Sequence, residues 1–416
     1  MRPEPTRSSN QCRALCLVRG ALWMVAAIGA MPVADSVARA APPVMIEVES
    51  NKTIHHGKVV SSVGDQFWLM EQDGRIRELN VKSTSRFRQV SPTFQPLSPL
   101  HIGAIVRRDT GATYAVATTR HYVVAATSEA KARKYAEVLE DTYKAFHAYF
   151  SVRGLTLVEP ECPLPAIVFA DAGAFGAYAK KDQVPAARGM KGYYHPMTNR
   201  IALFEDNQIA AATPGDLASH PHRVFGLPGG KGETGSLGVA LPSIGPVLGS
   251  IEAGLKDTLV HEATHQAAFN MGLHTRLGAT PRWVCEGLAT VFEAPGIRNS
   301  SANTSAKMRI NPERMTWFGS YAQQRRKPKS LRGFLESDRS FDTHTLDAYS
   351  EAWALSFYLI EKRPREYAKY LSRISRRDAL RTPTPEERVK DFEETISRDI
   401  HLVEAEVLRY VLSLNK

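Results

Sequence analysis

Cysteine is scarce in this chain: there are four in 416 residues, and Cys12 and Cys16 fall within the first forty. So few exclude Cys-rich zinc ribbons. They leave Cys162 and Cys285 as the one pair able to form a disulfide in an oxidising compartment, with two buried free thiols as the alternative. After the first forty residues no segment carries the ~20 apolar residues that a membrane-spanning helix needs. Helix-turn-helix, RNA-binding and aromatic-basic platform patterns are missing as well, which argues against a nucleic-acid partner. Internal repeats are also absent.

The start of the chain has a recognisable pattern. Arg2, Arg7, Arg13 and Arg19 precede an apolar run from Ala21 to Ala34, and Ala38-Arg39-Ala40 places small residues before Ala41. This is the layout of a signal peptide over residues 1–40, cleaved near Ala40, with an uncleaved anchor as the alternative, and it predicts export to the periplasm or beyond. No twin arginine is present there, and Cys16 lies before the apolar run, so lipoprotein attachment is not expected. Without the five arginines, one glutamate and one aspartate of residues 1–40, the formal charge falls from +10 to +7. The excess is spread out, with a local run at Arg325-Arg326-Lys327-Pro328-Lys329 that reads as a solvated loop. A basic mature chain admits an anionic envelope surface as a partner.

The most informative segment is Thr258-Leu-Val-His261-Glu262-Ala-Thr-His265, a His-Glu-x-x-His pattern inside an apolar, proline-free run. On an α-helix, residues four apart are offset by about 40° and one turn, so both imidazoles project from one face. Two such imidazoles grip a single Zn²⁺, and the adjacent Glu262 is placed to act as general base toward a zinc-activated water. The stretch predicts a helix over about 251–270. A catalytic zinc also needs a third protein ligand. Ala268 and Met271 stand where the metzincin pattern requires Gly and His, which excludes that class. The next candidate is Glu286, on a second predicted helix of about 282–293 opened by Pro281, with Trp283, Leu288 and Phe292 as its apolar stripe. Gly287 permits close helix-helix approach, and a carboxylate in such a seam calls for a cation.

His261-Glu-x-x-His265 followed by Trp283-x-x-Glu286-Gly287 resembles the gluzincin, or peptidase MA-like, zinc metallopeptidases. It is more narrowly similar to an uncharacterised set of exported bacterial proteins carrying that domain. The resemblance covers the chain from about Gln95 onward, although the sharp motifs occupy only residues 258–293. It implies one zinc ion held by His261, His265 and Glu286, with Glu262 as the base. Many gluzincins place an Asp four residues after the ligand Glu to orient a zinc histidine. Here that position is Thr290, whose hydroxyl is a weaker substitute. Glu293, two turns after Glu286, is a weaker competitor for the metal and reads rather as a surface carboxylate. Tyr349, at the start of an apolar helix, is the candidate oxyanion donor, with a core or helix-cap aromatic as the alternative. His344, His195 and His274 are lesser candidates, each expected to be a surface or hydrogen-bonded histidine.

The pattern reads as α+β, for which the resemblance implies a zincin-like metallopeptidase domain over 95–416 with a helical C-terminal lobe, preceded by a small all-β, SH3-like domain over 44–92. Val44-Met-Ile-Glu-Val48, Gly57-Lys-Val-Val60, Phe67-Trp-Leu-Met70 and Ile76-Arg-Glu-Leu-Asn-Val81 read as strands, with Asp73-Gly74 as a hairpin turn. His55 and His56 read as an exposed pair. A long helix is expected from the N-cap Ser128 to Phe150, a buried strand at 166–170, and a hairpin formed by 189–194 and 200–204. By resemblance, an edge strand in that region lies above the zinc and pairs with an extended peptide; an internal sheet strand is the alternative. Residues 212–249 are rich in Gly and Pro and contain His220 and His222, suggesting a lid or specificity loop.

Three functions fit these residues. The first is an exported zinc peptidase acting on peptide or protein substrates, and the second is a metal-bound but inactive scaffold for peptides or envelope partners. The third is a zinc hydrolase of non-peptide amides, whose metal chemistry is the same as that of the first. Intact Glu262 favours turnover over mere binding.

Overall fold

A computed structural model describes residues 44–184, 190–205, 251–298 and 305–414. The expected leader over 1–40 and the 212–249 loop with His220 and His222 lie outside the described residues. The described chain is α+β and divides into two compact units, the second beginning at Pro99.

The first unit is an antiparallel sheet of β1 (Met45–Ser50), β2 (Thr53–Val63), β3 (Gln66–Glu71), β4 (Ile76–Asn80) and β5 (Thr84–Ser91), ordered β4-β3-β2-β1-β5. Ile46, Val48, Phe67, Leu69 and Val81 form its core. Gly74 takes a φ of 84° in the turn between β3 and β4, a conformation costly for residues with a Cβ. Strand β5 carries a weak sequence signal because most of its side chains face solvent. It pairs with β1 all the same, through backbone groups. His55 and His56 are not simply exposed. His55 contacts Glu71 at 2.7 Å and His56 contacts Glu47 at 3.0 Å, each across a strand pair.

The second unit is built on a five-stranded sheet. Its helices and strands in chain order are α1 (Pro99–Thr110), β6 (Ala115–Thr118), β7 (Tyr122–Ala126), α2 (Glu129–Ser151), β8 (Leu164–Phe169), α3 (Ala172–Lys181), β9 (Gly192–His195), β10 (Arg200–Phe204) and α4 (Ile251–Asn270). Seven more helices follow: α5 (Arg282–Glu293), α6 (Pro295–Arg298), α7 (Pro312–Gln324), α8 (Leu331–Glu336), α9 (Ser340–Thr343), α10 (Thr345–Lys362) and α11 (Pro364–Ser375). The last two are α12 (Pro385–Thr395) and α13 (Ile400–Ser413). The sheet order is β6-β7-β8-β10-β9, with β7, β8 and β10 parallel and the two outer strands antiparallel. Strands β7 and β8 are buried along their whole length, hence their unbroken apolar sequence. Alternate side chains serve opposite faces. Tyr122, Val124, Ala166, Val168, Ile201 and Leu203 join the core that contains α2 and α4. Phe169, by contrast, meets Phe175 and Tyr178 of α3.

Polar side chains fix α4 against the sheet. Gln266 Nε2 donates to the carbonyls of Pro165, at 3.1 Å, and Asn199, at 2.8 Å. Asn270 and Asn199 exchange amide hydrogen bonds, and the Tyr194 hydroxyl donates to Asn199. Helix α5 then packs between α4 and α10. A Cβ on Gly287 would lie 2.1 Å from Ser356 Oγ and 2.6 Å from the Ala352 carbonyl, both on α10, so only glycine allows this approach. Behind it, Trp283 stacks on Tyr367 and Tyr370 of α11 and meets Phe392 of α12 edge-on.

One sequence reading changes. Arg326 is not part of a solvated loop. Only 4% exposed, it pairs with Glu351 and with Glu404, joining α10 and α13 to the turn after α7. Cys162 and Cys285 are both buried and no disulfide joins them. Among the described residues no helix is long and apolar enough to cross a membrane.

Replacing Gly287 with Ala should cost about 2–3 kcal/mol through overpacking against α10. Thermal unfolding should show a midpoint several degrees lower. Gly333→Ala, at a helical site with no atom within 4 Å of the added Cβ, should leave it unchanged or slightly raised.

Candidate metal centre

The site begins where α4 meets α5. The turn between them is set by Gly272, whose φ of 85° reverses the chain after Met271. The amides of Leu273 and His274 both donate to the Ala268 carbonyl, closing the end of α4. Pro281 then opens α5, and the amphipathic pattern of that helix buries Trp283, Leu288 and Phe292 in the common core.

His261, His265 and Glu286 converge as a buried group able to hold a metal ion. The two Nε2 atoms are 3.1 Å apart, and Glu286 Oε2 lies 3.4 Å from His261 Nε2 and 3.7 Å from His265 Nε2. A tetrahedral site with bonds of about 2.05 Å separates its donors by about 3.3 Å, so this triangle has the right size for one ion. The side chains are at most 1% exposed, a costly burial for groups of this kind unless a positive charge balances the carboxylates.

The surroundings orient the donors. His261 Nδ1 donates to Glu293 Oε1 at 2.7 Å, which leaves Nε2 directed at the shared point. Glu293 is held in turn by Asn311, whose Nδ2 donates to Oε2 at 2.6 Å, and by Arg314 at 3.8 Å. This corrects two expectations. Glu293 is not a surface carboxylate, and Thr290 does not orient a histidine: its hydroxyl donates to the backbone carbonyls of Glu286 and Gly287 within its own helix. A carboxylate at the seventh position after Glu286 does this work. Seven residues are nearly two full turns, so Glu286 and Glu293 share a face, and the spacing was a usable signal.

Glu262 is fully buried, and the Tyr194 amide of strand β9 hydrogen-bonds its carboxylate. Burial first, then the neighbouring Glu286, raises its pKa above the usual carboxylate range. For His261 burial works toward deprotonation, but the carboxylates of Glu286 and Glu293 prevail and raise its pKa to about 10. Burial likewise opposes ionisation of Glu286, and the two imidazoles hold it well below the ordinary value.

Tyr349, on α10, is 1% exposed, with its hydroxyl beside the Glu286 carboxylate and the Arg282 guanidinium. It makes no well-aligned hydrogen bond among the described residues. Arg282 Nε stands 3.9 Å from Glu286 Oε1, on the side of the carboxylate away from the histidines. The other candidates are not brought into the donor triangle. His344 is exposed, with Nδ1 against Thr343 Oγ1. His195 Nδ1 accepts from the Met197 and Thr198 amides, closing the β9–β10 turn. His274 is a buried core imidazole against Phe269, its pKa pushed down to about 3 by burial.

One sequence family, described as a protein of unknown function (DUF1570), matches residues 256–381, a span that holds α5, Tyr349 and both histidines of α4. No curated protein matches the chain.

Metal and proton compete for His261. With its pKa raised to about 10, this histidine is protonated at neutral pH, and uptake of a cation must expel the proton. Metal affinity should therefore rise with pH, approaching about tenfold per unit between pH 6 and 9. Titration calorimetry in buffers of different ionisation enthalpy measures the released proton directly. Glu293→Gln should weaken metal binding about 10- to 100-fold by loosening His261.

Proposed function

We propose that this chain is an exported zinc peptidase of gluzincin type, with a zincin-like catalytic fold that follows an SH3-like β unit in the sequence. The observation that carries the reading is the donor triangle of His261, His265 and Glu286 with a carboxylate base, Glu262, in the next position of the same helix. Two imidazoles and one carboxylate are a donor set suited to Zn²⁺. When bound, Zn²⁺ supplies Lewis acidity that polarises a carbonyl and eases deprotonation of water.

The protein's own groups do the rest. Glu262 accepts the proton of the attacking water and returns it to the leaving amine, and its raised pKa brings it closer to the range useful for both transfers. The Tyr349 hydroxyl, beside the Glu286 carboxylate and the Arg282 guanidinium, is the donor to the developing oxyanion. Among the described residues β9 is an outer strand, paired with β10 alone, and an extended peptide adds to it by strand pairing. The expected leader places this activity outside the cytoplasm, where an anionic envelope surface is available to the basic mature chain.

A second reading has one observation in its favour. The side chains of His261, Glu262, His265, Glu286 and Tyr349 are at most 1% exposed, an enclosure that suits a structural metal site. On that reading the protein binds zinc and serves as a scaffold for peptides or envelope partners.

Metal analysis of the purified protein, combined with digestion of a peptide library, separates the two. Zinc should be present near one equivalent, and Glu262→Gln should retain it while turnover falls by about 10³-fold or more. Zinc without cleavage by either protein favours the scaffold. Full turnover by Glu262→Gln eliminates the mechanism.

A further inference from the structure

Away from the metal centre, the turn joining α11 to α12 encloses a pocket of about 370 Å³, within the ~300–1000 Å³ usual for small-molecule sites. Five cationic side chains line it, Arg373, Arg376, Arg377, Arg381 and Lys390, against three carboxylates. Most of this charge is already paired. Asp391 receives both Arg373 and Arg377, Glu387 receives Arg381, and Glu394, outside the lining, reaches Arg373 and Lys390.

The surplus is concentrated at two consecutive residues. Arg376 has an exposed side chain and no ion pair among the described residues. Arg377 spends Nη2 on Asp391 and the Glu387 carbonyl, but its Nη1 is buried with no hydrogen-bond partner. A buried guanidinium donor without an acceptor is costly, and an anion in the pocket relieves that cost. Burial lowers the Arg377 pKa, against the opposing pull of Tyr370 and Glu387, with smaller repulsion from Arg388 and Arg373. The N-terminus of α12 does not supply the site, because its amides are engaged in a capping box between Thr384 and Glu387.

We propose that this pocket is a binding site for a phosphate-bearing anion, held by the Arg376 and Arg377 side chains. Planar guanidinium forks match the oxygens of a phosphoryl group, and two adjacent forks suit a pyrophosphate-sized ligand better than a single carboxylate. The same chemistry admits a phospholipid headgroup, which would dock this end of the helical lobe on an anionic membrane. The site does not depend on the zinc reading.

The test uses the full mature chain. Calorimetric titration with sodium pyrophosphate at constant ionic strength should show saturable binding. Arg376→Gln should weaken it at least about tenfold while leaving metal content unchanged, because Arg376 supports no ion pair that folding needs. Arg107→Gln, an exposed arginine on α1, controls for net charge. In parallel, sedimentation with phosphatidylglycerol vesicles, against phosphatidylcholine vesicles, identifies a headgroup as the source. Loss with Arg376→Gln but not Arg107→Gln, in either arm, supports the site. Absence of saturable binding in both arms, or equal binding by the two variants, overturns it.

Discussion

The arrangement rests on an electrostatic constraint: three carboxylates, those of Glu262, Glu286 and Glu293, are packed around two imidazoles in the protein interior. Such a cluster is stable only if positive charge sits among the oxygens. In the polypeptide alone a proton on His261 provides part of it, and Arg282 and Arg314 approach from outside. A divalent cation meets the same demand with greater charge and fixed geometry. The seam between α4 and α5, the close passage at Gly287 and the hydrogen bonds of Gln266 all serve to hold these groups in one place.

The parts of the fold that were legible in the sequence are those where local pattern and tertiary burial agree. Ser128 caps α2 as its side-chain chemistry predicts, with Oγ accepting from the Lys131 amide. The uniformly apolar stretch around Ile167 is an interior parallel strand, and Pro364 and Pro385 stand at helix starts. Other elements were hidden for physical reasons. Strand β5 faces solvent on most of its side chains, so its register is written in backbone pairing rather than in hydrophobic alternation. Arg326 sits in a charged run that looks solvated until Glu351 and Glu404 arrive from distant helices.

The metal site shows the same division. His261 and His265 lie one helical turn apart and can be paired by periodicity alone, and Glu286 follows once the second helix is placed. Glu293 was harder because its significance depends on Asn311 and Arg314, which belong to another helix start. A lone carboxylate near the end of an amphipathic helix reads as surface; anchored from two sides it becomes the support of a ligand.

The contact between Glu262 and the Tyr194 amide has a consequence for how this centre tolerates change. A main-chain donor is common to nineteen of the twenty residue types, so the chemistry of this bond does not come from the side chain at position 194, which instead fixes the strand through the core and Asn199. Proline alone would abolish it, by replacing the hydrogen with a ring. The carboxylate is thus moored to the course of the chain itself, and the mooring holds as long as the buried Tyr194 ring keeps that course fixed.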